Sequence, residues 1–314
     1  MKILLLIVMI TVFVSCDYSE ELAVDMLYAS ALSYCPTERV LAGNCKAAGD
    51  ATEKAGILPF FSLDNQDSKN PIYMTLMKRE SQKQIIVGFS GTKGAEELID
   101  EIAQIVPKEY DIHPDKGVKV FAFFYEHYKN QFRSSFLEQM TDILSKEENT
   151  GYDVIFTGHS LGGSLTMHAA ADAILNGILN NTDVYIYTFG QPRVGNIQFI
   201  EEFFPNVKEC YRVIHNNDIV PHLPPCINEL GHGCVKHGFL LPAFPYHAAT
   251  EVLYEKDFES YKVCSSTEGE DKHCSLSKIG KSILDHLTYF GVEVGQFYRH
   301  DSEVPKSIST TLLI

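Results

Sequence analysis

The sequence predicts an α/β fold in which a central, mostly parallel sheet is covered by helices on both faces. Short apolar runs of strand length alternate with longer segments of helical periodicity, and this alternation is typical of parallel sheets with crossover helices. One unit is especially clear, because the apolar run 154–156 leads through a glycine-rich turn directly into the helix-forming run 164–175. With 314 residues, of which 45% are hydrophobic, the chain can form one large domain.

The first residues have the pattern of an export signal rather than of a domain. Lys2 is followed by an apolar run that ends near Val14, and this run is too short to span a bilayer. We therefore predict a signal peptide over residues 1–16 and a single domain over residues 17–314, with a tail after about residue 299. The mature protein is expected to be secreted, or to enter the secretory or lysosomal lumen.

The net charge of the sequence limits the kinds of partner that the protein can bind. A formal net charge of −15 argues against binding to nucleic acid and against electrostatic docking on anionic lipid. No later segment is apolar over the length that a transmembrane helix needs. We expect a monomer whose contacts with lipid are mainly apolar.

The individual elements follow from periodicity and turn residues. Before the glycine-rich turn, the patterns predict a helix over 17–34, a loop over 35–56, strands over 72–77 and 84–89, and a long aromatic-rich helix over 118–146. The turn itself follows a strand over 153–157. After it, the patterns predict strands over 184–189, 210–214 and 249–254, a short helix ending at 204, a long loop over 221–245 and a helix over 281–290.

The glycine-rich turn carries a candidate nucleophile. Gly158, Ser160 and Gly162 stand in the G-x-S-x-G spacing between a predicted strand and a predicted helix, and this context places a serine at the tip of a sharp turn. A side chain at either flanking position would collide with the strand or the helix, and glycine removes the clash. The helix N-terminus behind Ser160 favours negative charge, so an oxyanion that forms there would be stabilised.

A serine nucleophile needs a base, and the base needs an acid that orients it. In this architecture the chain order is Ser, then Asp or Glu, then His. Asp218, at the end of a predicted strand, is therefore the candidate acid, and His286, downstream of both, is a candidate base. The residues alone leave other histidines open: His215, His222, His232, His237, His247, His273 and His300.

The same chemistry needs preorganised donors for the oxyanion. Leu161, which follows Ser160, offers one backbone N–H, and Thr92, in the turn after the strand over 84–89, offers a second. The next segment, residues 93–106, has an apolar helical face that includes Leu98, Ile99, Ile102, Ile105 and Val106. We predict that this segment is a lid that covers Ser160 when closed and exposes its apolar face to lipid when open. The alternative is a surface helix packed on the core.

The cysteine spacing predicts disulfides. Of eight cysteines, Cys16 lies in the predicted signal peptide and seven follow it, which in an exported protein favours disulfide bonds. Short spacings favour three local pairs and leave Cys210 as a buried free thiol; the pairs are Cys35–Cys45, Cys226–Cys234 and Cys264–Cys274. His232, Cys234 and His237 could bind zinc, but Cys226 nearby favours a disulfide. We expect no metal and no cofactor.

As a set, the motifs resemble the fungal-type, class 3 family of triacylglycerol lipases, which have the α/β-hydrolase fold. The matching segments run in order between about residues 17 and 295: Val87-Gly-Phe-Ser-Gly-Thr92, Thr157-Gly-His-Ser-Leu-Gly-Gly163, Thr188-Phe-Gly-Gln-Pro-Arg-Val-Gly-Asn196, Asn217-Asp-Ile-Val-Pro-His-Leu-Pro224, Tyr246-His-Ala-Ala-Thr-Glu-Val252 and Asp285-His-Leu-Thr-Tyr-Phe-Gly291. The resemblance implies that Ser160, Asp218 and His286 form a catalytic triad. It also implies an oxyanion hole at Thr92 and Leu161, a lid over 93–106, and a bridge between Cys264 and Cys274.

Two features depart from the family pattern. A V-H-x-G-F segment that is frequent in the family is replaced by Val120-Phe-Ala-Phe-Phe124, and the chain has no Trp, which family lids often carry. The resemblance implies hydrolysis of triacylglycerol esters at a lipid–water interface through an acyl-enzyme, without a cofactor. The alternatives are a phospholipase A1 or galactolipase, a soluble-ester (feruloyl-type) esterase or, in another class, a catalytically inactive lipase fold that binds lipid or a partner.

Overall fold

A computed structural model of the chain describes residues 18–45, 55–65, 71–92, 106–113, 117–205, 207–226, 234–235, 245–278 and 282–296. The predicted signal peptide, the predicted tail and most of the predicted lid lie outside these residues. The same is true of His232, His237 and His300.

Twelve strands lie in the described part of the chain. They are β1 Leu58–Asp64, β2 Tyr73–Arg79, β3 Gln84–Phe89, β4 Pro107–Glu109, β5 Lys119–Phe121, β6 Asp153–His159, β7 Val184–Phe189, β8 Glu209–His215, β9 Glu251–Tyr254, β10 Tyr261–Val263, β11 Thr288–Tyr289 and β12 Val292–Glu293. Eight of them form one sheet in the order β1-β2-β3-β6-β7-β8-β9-β10. The five strands from β3 to β9 in this order pair in parallel, and the strands at both edges are antiparallel. The mostly parallel sheet predicted from the sequence is confirmed.

The described helices lie between and beyond these strands. They are α1 Glu20–Leu32, α2 Thr37–Leu41, α3 Ala122–His127, α4 Arg133–Ser145, α5 Leu161–Leu175, α6 Ile197–Phe203 and α7 Ile283–Leu287. A π-helical turn, Tyr128–Phe132, joins α3 to α4, and short 3₁₀ turns occur at Glu80–Gln82, Glu147–Asn149, Asn181–Asp183, Val220–His222, Ser275–Ser277 and Val294–Gln296. Within the described ranges, no helix has the length and apolar character needed to cross a membrane.

The sheet is buried on both faces. In β6, Val154 and Phe156 point into a core shared with Phe136 of α4 and with α5, whereas Ile155 points into a second core under α1. This explains why the central strands are continuous apolar runs rather than alternating ones. Each fully buried side chain of this size contributes about 1.5–3 kcal/mol. The carboxyl ends of β3, β6 and β8 therefore meet at one rigid edge of the sheet, and Thr92, Ser160 and Asp218 follow them.

The prediction of one continuous helix over residues 118–146 is wrong. Its first residues form β5, α3 begins at Ala122, and the π-helical turn interrupts it. Tyr128 donates a hydrogen bond to Asp172 Oδ2 (2.8 Å) and Arg133 Nη2 donates to Asp172 Oδ1 (3.1 Å). Residues five apart in an α-helix point about 140° away from each other, and the wider turn brings both side chains to the same carboxylate.

Other boundaries also differ from the predictions. The helix predicted over 281–290 ends at Leu287, because Phe290 and Gly291, with φ of 49° and 74°, form a tight turn that pairs β11 with β12. The loop predicted over 35–56 contains α2, and the strand predicted from residue 249 begins at Glu251. The edge strands β1 and β10, which carry exposed apolar residues on their outer side, had no predicted counterpart.

Candidate active site

Ser160 lies at the tip of the turn between β6 and α5. Its φ and ψ are 61° and −131°, a conformation that is strained for any residue other than glycine and persists only where the surroundings impose it. The Ser160 N–H donates to Phe189 O (2.9 Å) and its carbonyl accepts from Gly163 N–H (3.0 Å). The hydroxyl is thereby fixed at the carboxyl edge of the sheet.

Gly158 and Gly162 allow the strand and helix to meet this closely. A Cβ atom on Gly158 would lie 2.4 Å from the Gly162 carbonyl carbon, and one on Gly162 would lie 2.1 Å from Phe89 O. Backbone atoms at these distances cannot retreat without moving β3, β6 or α5. The two glycines of the motif are therefore steric requirements of the turn.

Ser160, His286 and Asp218 lie in hydrogen-bond contact. The Ser160 Oγ is 2.9 Å from His286 Nε2, and His286 Nδ1 is 2.9 Å from Asp218 Oδ2. All three side chains are almost fully buried. The three residues that the sequence singled out from distant parts of the chain are thus brought together, in the geometry that lets a base take a proton from the serine.

The acid and the histidine are attached to each other through backbone as well as side chains. Asp218 and Ser282 form a parallel bridge, and Ser282 N–H donates to Asn217 O (2.7 Å). Ser282 Oγ caps α7 by accepting from Asp285 N–H (3.1 Å), and Asp285 Oδ2 accepts from Asn217 N–H (3.1 Å). This arrangement fixes the start of the short helix that carries His286 against the loop that carries Asp218.

The surroundings keep the Asp218 carboxylate charged. Burial alone would raise its pKa, but the adjacent His286, the Tyr289 hydroxyl and the Val220 N–H together hold the pKa of Asp218 below its usual range. Tyr289 donates to Oδ2 at 2.5 Å and Val220 N–H donates to Oδ1 at 2.8 Å. An ionised Asp218 accepts from Nδ1–H of His286 and so leaves Nε2 as the acceptor that faces Ser160.

Two contributors to this site were not identified from the sequence. Tyr289 and Gly190 lie in segments that match the family pattern, but neither residue was predicted to have a role in the site. Gly190 has φ of 56°, and a Cβ on it would lie 2.6 Å from Asp218 Oδ2 and 2.7 Å from His286 Nδ1. The glycine therefore provides the space that the acid–histidine pair occupies. A glycine directly after an apolar strand was the available signal.

The predicted oxyanion donors lie at the same edge. Leu161 is the first residue of α5, so its N–H has no carbonyl partner within the helix. A Cβ on Gly91 would lie 2.9 Å from Ser160 Cβ, so the loop that leads to Thr92 passes directly beside the nucleophile. The Thr92 hydroxyl oxygen is buried, and none of the described residues forms a hydrogen bond with it.

The other predicted residues are placed as follows. Of the lid residues, Leu98, Ile99, Ile102 and Ile105 lie outside the described residues, whereas Val106 is 66% exposed. Of the alternative bases, His215 and His247 direct ring nitrogens at backbone carbonyl oxygens, at 3.0 and 2.8 Å. His222 ends the 3₁₀ turn after Asp218, and His273 is exposed.

The structure contains the three disulfides that the spacing favoured. They join Cys35 to Cys45, Cys226 to Cys234, and Cys264 to Cys274. Cys210 is a buried free thiol, as expected, and burial raises its pKa to about 12. The sulfur atoms of Cys226 and Cys234 are bonded to each other and do not present a thiolate to a metal.

Comparison with known proteins places these features in context. A family model described as Lipase (class 3) matches residues 86–228. Lipase ZK262.3 of Caenorhabditis elegans is 31% identical over 262 residues, which cover 78% of this chain and 72% of that protein. A lipase of Rhizomucor miehei is 32% identical over 275 residues, covering 85% and 67%. A refined structure of Rhizomucor miehei triacylglyceride lipase aligns with a TM-score of 0.72 and 27% identity, covering 90% of this chain and 98% of that one.

Proposed function

The chain belongs to the class 3 lipase family and is a carboxylic ester hydrolase, and we propose that it cleaves the fatty-acyl esters of triacylglycerols through an acyl-enzyme on Ser160. The observation that carries this proposal is the continuous chain of hydrogen bonds from Ser160 Oγ through His286 to Asp218, at 2.9 Å for each step. The triacylglyceride substrate of the Rhizomucor miehei relative supports the substrate class.

The proposed reaction has two halves. His286 Nε2 takes the proton of Ser160, a bond forms between Oγ and the ester carbonyl carbon, and a tetrahedral oxyanion results. The bond to the glyceride oxygen then breaks, and the leaving alcohol takes the proton from His286. Water repeats the sequence on the acyl-enzyme and releases the fatty acid. Asp218 stays ionised throughout, because the surrounding donors stabilise its charge.

We assign the oxyanion hole to Thr92 and Leu161. The position of Leu161 at the start of α5 supports this assignment, as does the buried Thr92 hydroxyl, which has no hydrogen-bond partner among the residues that the structure describes. Donors that are fixed before the reaction stabilise the developing charge without reorganisation, and each is typically worth about 10²–10³ in rate.

We also propose that residues 93–106 act as a lid that opens at a lipid–water interface. Two large apolar side chains support a lipid-facing surface: Val106, at the end of the lid segment, is 66% exposed, and Leu284, two residues before His286, is 73% exposed. These are the most exposed large hydrophobic residues in the described part of the chain. Contact of such residues with lipid is driven by apolar burial and does not depend on a positive surface.

Export is the third part of the proposal. The apolar start of the sequence and the three disulfides support removal of residues 1–16 and a folded domain from residue 17 in an oxidising compartment. N-terminal sequencing of the protein recovered from culture medium tests this. A chain retained inside the cell with Met1 intact would contradict it.

The substrate assignment is tested with purified protein on triacylglycerol emulsions, phospholipids, galactolipids and short soluble esters. We expect triacylglycerols to be hydrolysed fastest, with a rate increase as the substrate passes its solubility limit. A preference for phospholipid or galactolipid, or smooth saturation below the limit, would contradict the proposal in favour of the corresponding enzyme class.

The catalytic assignment is tested separately. Ser160→Ala should reduce ester hydrolysis by at least about 10⁴-fold while the protein stays folded, and an organophosphonate should label the wild-type protein at Ser160. A wild-type protein that neither turns over esters nor reacts with the reagent would instead be an inactive lipase fold that binds lipid or a partner.

The proposed lipid-facing surface is tested with a variant of Leu284 and a matched control variant. Leu284→Asp should slow hydrolysis of an emulsion much more than that of a soluble ester, whereas Leu58→Asp should affect neither. Leu58 is 59% exposed on the edge strand β1. In the sheet, β1 lies three strands away from β6, which precedes Ser160. Equal effects of both variants on emulsion hydrolysis would contradict the surface we propose.

A further inference from the structure

A second chain of hydrogen bonds runs behind the proposed triad. Tyr34, two residues beyond the end of α1, places its hydroxyl 2.8 Å from Nδ1 of His159, the last residue of β6. Nε2 of the same ring is 2.8 Å from the backbone carbonyl oxygen of His286. The His159 ring also stacks on the His286 ring, with centroids 4.6 Å apart and an interplanar angle of 28°.

The chemistry of the groups fixes the direction of each bond. Burial, and secondarily the adjacent His286, lower the pKa of His159 to about 3, so its ring is neutral and carries one N–H. A carbonyl oxygen only accepts, so the proton sits on Nε2 and the Tyr34 hydroxyl must donate to Nδ1. The phenolic oxygen of Tyr34 also packs against Gly91, where an added Cβ would lie 2.4 Å from it. The contacts therefore run from Gly91 through Tyr34 and His159 to His286.

This chain joins the three segments whose relative placement decides the reaction. Gly91 precedes the proposed oxyanion donor Thr92, His159 precedes the proposed nucleophile Ser160, and the chain ends on the backbone of the proposed base. Tyr34 and His159 are both buried, with 1% and 2% of their surface exposed. Because both side chains are enclosed by the protein, their hydrogen bonds fix how far apart these segments lie.

We propose that Tyr34 and His159 are positioning residues for the ester hydrolysis assigned above, holding the oxyanion loop and His286 at a fixed separation. The inference rests on the proposed function. During the reaction His286 becomes positively charged, and the ring stacked on it must not carry a second charge. The Tyr34 hydroxyl reinforces this, because its proton occupies the one lone pair at which His159 could be protonated.

The expected kinetic signature follows from geometry. In Tyr34→Phe, the ring still fills the core, but His159 Nδ1 loses its partner and Gly91 loses its contact with the hydroxyl. Without this contact the loop can shift towards the space that the hydroxyl occupied, which displaces Thr92 from the position that the oxyanion needs. A misplacement of the order of 1 Å costs roughly 10²-fold in rate. We expect kcat to fall about 10–100-fold while KM changes less than about twofold, because the loss appears only in the transition state.

Tyr187→Phe is a matched control. Tyr187 is also fully buried in the core under α1, and its hydroxyl donates a hydrogen bond to Glu209 Oε2 at 2.5 Å. Its partner lies at the start of β8, away from the triad edge. A purely structural contribution of a buried tyrosine hydroxyl should therefore be similar in the two variants.

The experiment measures kcat and KM on a soluble short-chain ester, the melting temperature, and the ¹⁵N resonances of the histidine rings. We expect wild-type His159 to show the neutral Nε2–H tautomer. Tyr34→Phe should lower kcat as stated, shift the Nδ1 resonance, and change the melting temperature no more than Tyr187→Phe does. Adding Tyr34→Phe to His159→Leu should cause little further loss in kcat, since the two act through one chain.

Three outcomes would overturn the inference. They are a Tyr34→Phe kcat within about twofold of wild type, an equal loss in Tyr187→Phe, and a His159 tautomer protonated on Nδ1. Each of these leaves the hydrolase assignment standing if the wild-type protein is active. A wild-type protein that is inactive and is not labelled by an organophosphonate would remove the proposed function, and the positioning role with it.

Discussion

Replacement of Gly190 by alanine tests whether the separation of Asp218 and His286 is as tight as the structure indicates. The new Cβ would lie 2.6 Å from Asp218 Oδ2 and 2.7 Å from His286 Nδ1, whereas ordinary contacts begin near 3.4 Å. The two atoms would have to retreat by roughly 0.8 and 0.7 Å. They make the 2.9 Å hydrogen bond that orients the imidazole, so that bond would break or bend severely.

We expect the kcat of Gly190→Ala to fall about as far as in an enzyme whose catalytic histidine has lost its orienting acid. Removing the orienting acid in serine hydrolases costs about 10⁴-fold in kcat, and we expect Gly190→Ala to lose about 10³–10⁴-fold with KM little changed. The φ of 56° adds a backbone penalty of about 1–2 kcal/mol for any residue with a Cβ, which should lower the melting temperature by a few degrees.

Gly177→Ala separates the two effects. Gly177 has φ of 66°, and among the described residues none but its chain neighbours has an atom within 4 Å of the position that a Cβ would take there. It should therefore show the backbone penalty in thermal melts and keep full activity on a soluble ester. If Gly190→Ala keeps more than about a tenth of the wild-type kcat, or if Gly177→Ala loses as much, the steric argument is wrong.

Three further predictions follow from the buried polar groups. Tyr289→Phe removes the 2.5 Å bond to Asp218, so the Asp218 pKa should rise, kcat should fall about tenfold, and the acidic limb of the pH–rate profile should move to higher pH; an unchanged limb would contradict this. Three buried histidines have depressed pKa values, about 3 for two of them and well below 6.5 for the third: His159, His168 and His247. Because these histidines take up protons in the unfolded chain at a higher pH than in the folded protein, their contribution to stability is complete above pH 6.5. It is lost as the pH falls below 6.5, by up to about 1.4 kcal/mol per pH unit for each; equal urea midpoints at pH 7 and pH 5 would refute this. Arg193→Met leaves Glu270 buried without its partner, which lies at 2.7 Å, and should destabilise the protein by about 3–5 kcal/mol; a melting temperature within about 3 °C of wild type would contradict it.

The nucleophile could be predicted from the sequence because its requirements are local. Gly158, Ser160 and Gly162 are separated by fixed covalent distances, and the clash that Gly158 avoids is with the helix of the same unit; only the clash that Gly162 avoids involves another part of the chain, at the end of β3. The acid and the histidine have no such local pattern. Their identity came from chain order and from the family resemblance, and the residues alone left several histidines open.

The supporting groups could not be predicted, because each acts across the fold. Tyr289 meets Asp218 over a sequence separation of 71, and Tyr34 meets His159 over a separation of 125. Tyr289 also packs edge-on against Phe189, with centroids 5.8 Å apart, as an ordinary core tyrosine would. The residues that precede and follow Tyr289 in the sequence do not indicate whether its side chain stabilises a carboxylate or only packs in the core.

Secondary structure failed where a distant polar group overrode local propensity. The aromatic-rich segment over 118–146 has the periodicity of one helix, and hydrophobic burial alone would leave it continuous. Asp172 on α5 accepts hydrogen bonds from both Tyr128 and Arg133. Only the wider π-helical turn places both of these side chains on the side of the segment that points towards Asp172. A fully buried carboxylate without partners would cost several kcal/mol, more than the distortion of one helical turn.

Arg193 shows how far the acid of the proposed triad depends on other loops. It belongs to a segment that matches the family pattern, yet the pattern gives it no role. In the structure its guanidinium donates to Glu270 and to the carbonyl oxygens of His222 and Pro224, at 2.7–2.9 Å. Asp218 lies just before these two carbonyls, on the same loop. A rigid bidentate cation therefore anchors the loop at the far end from β8, and the position of the carboxylate is set from both sides.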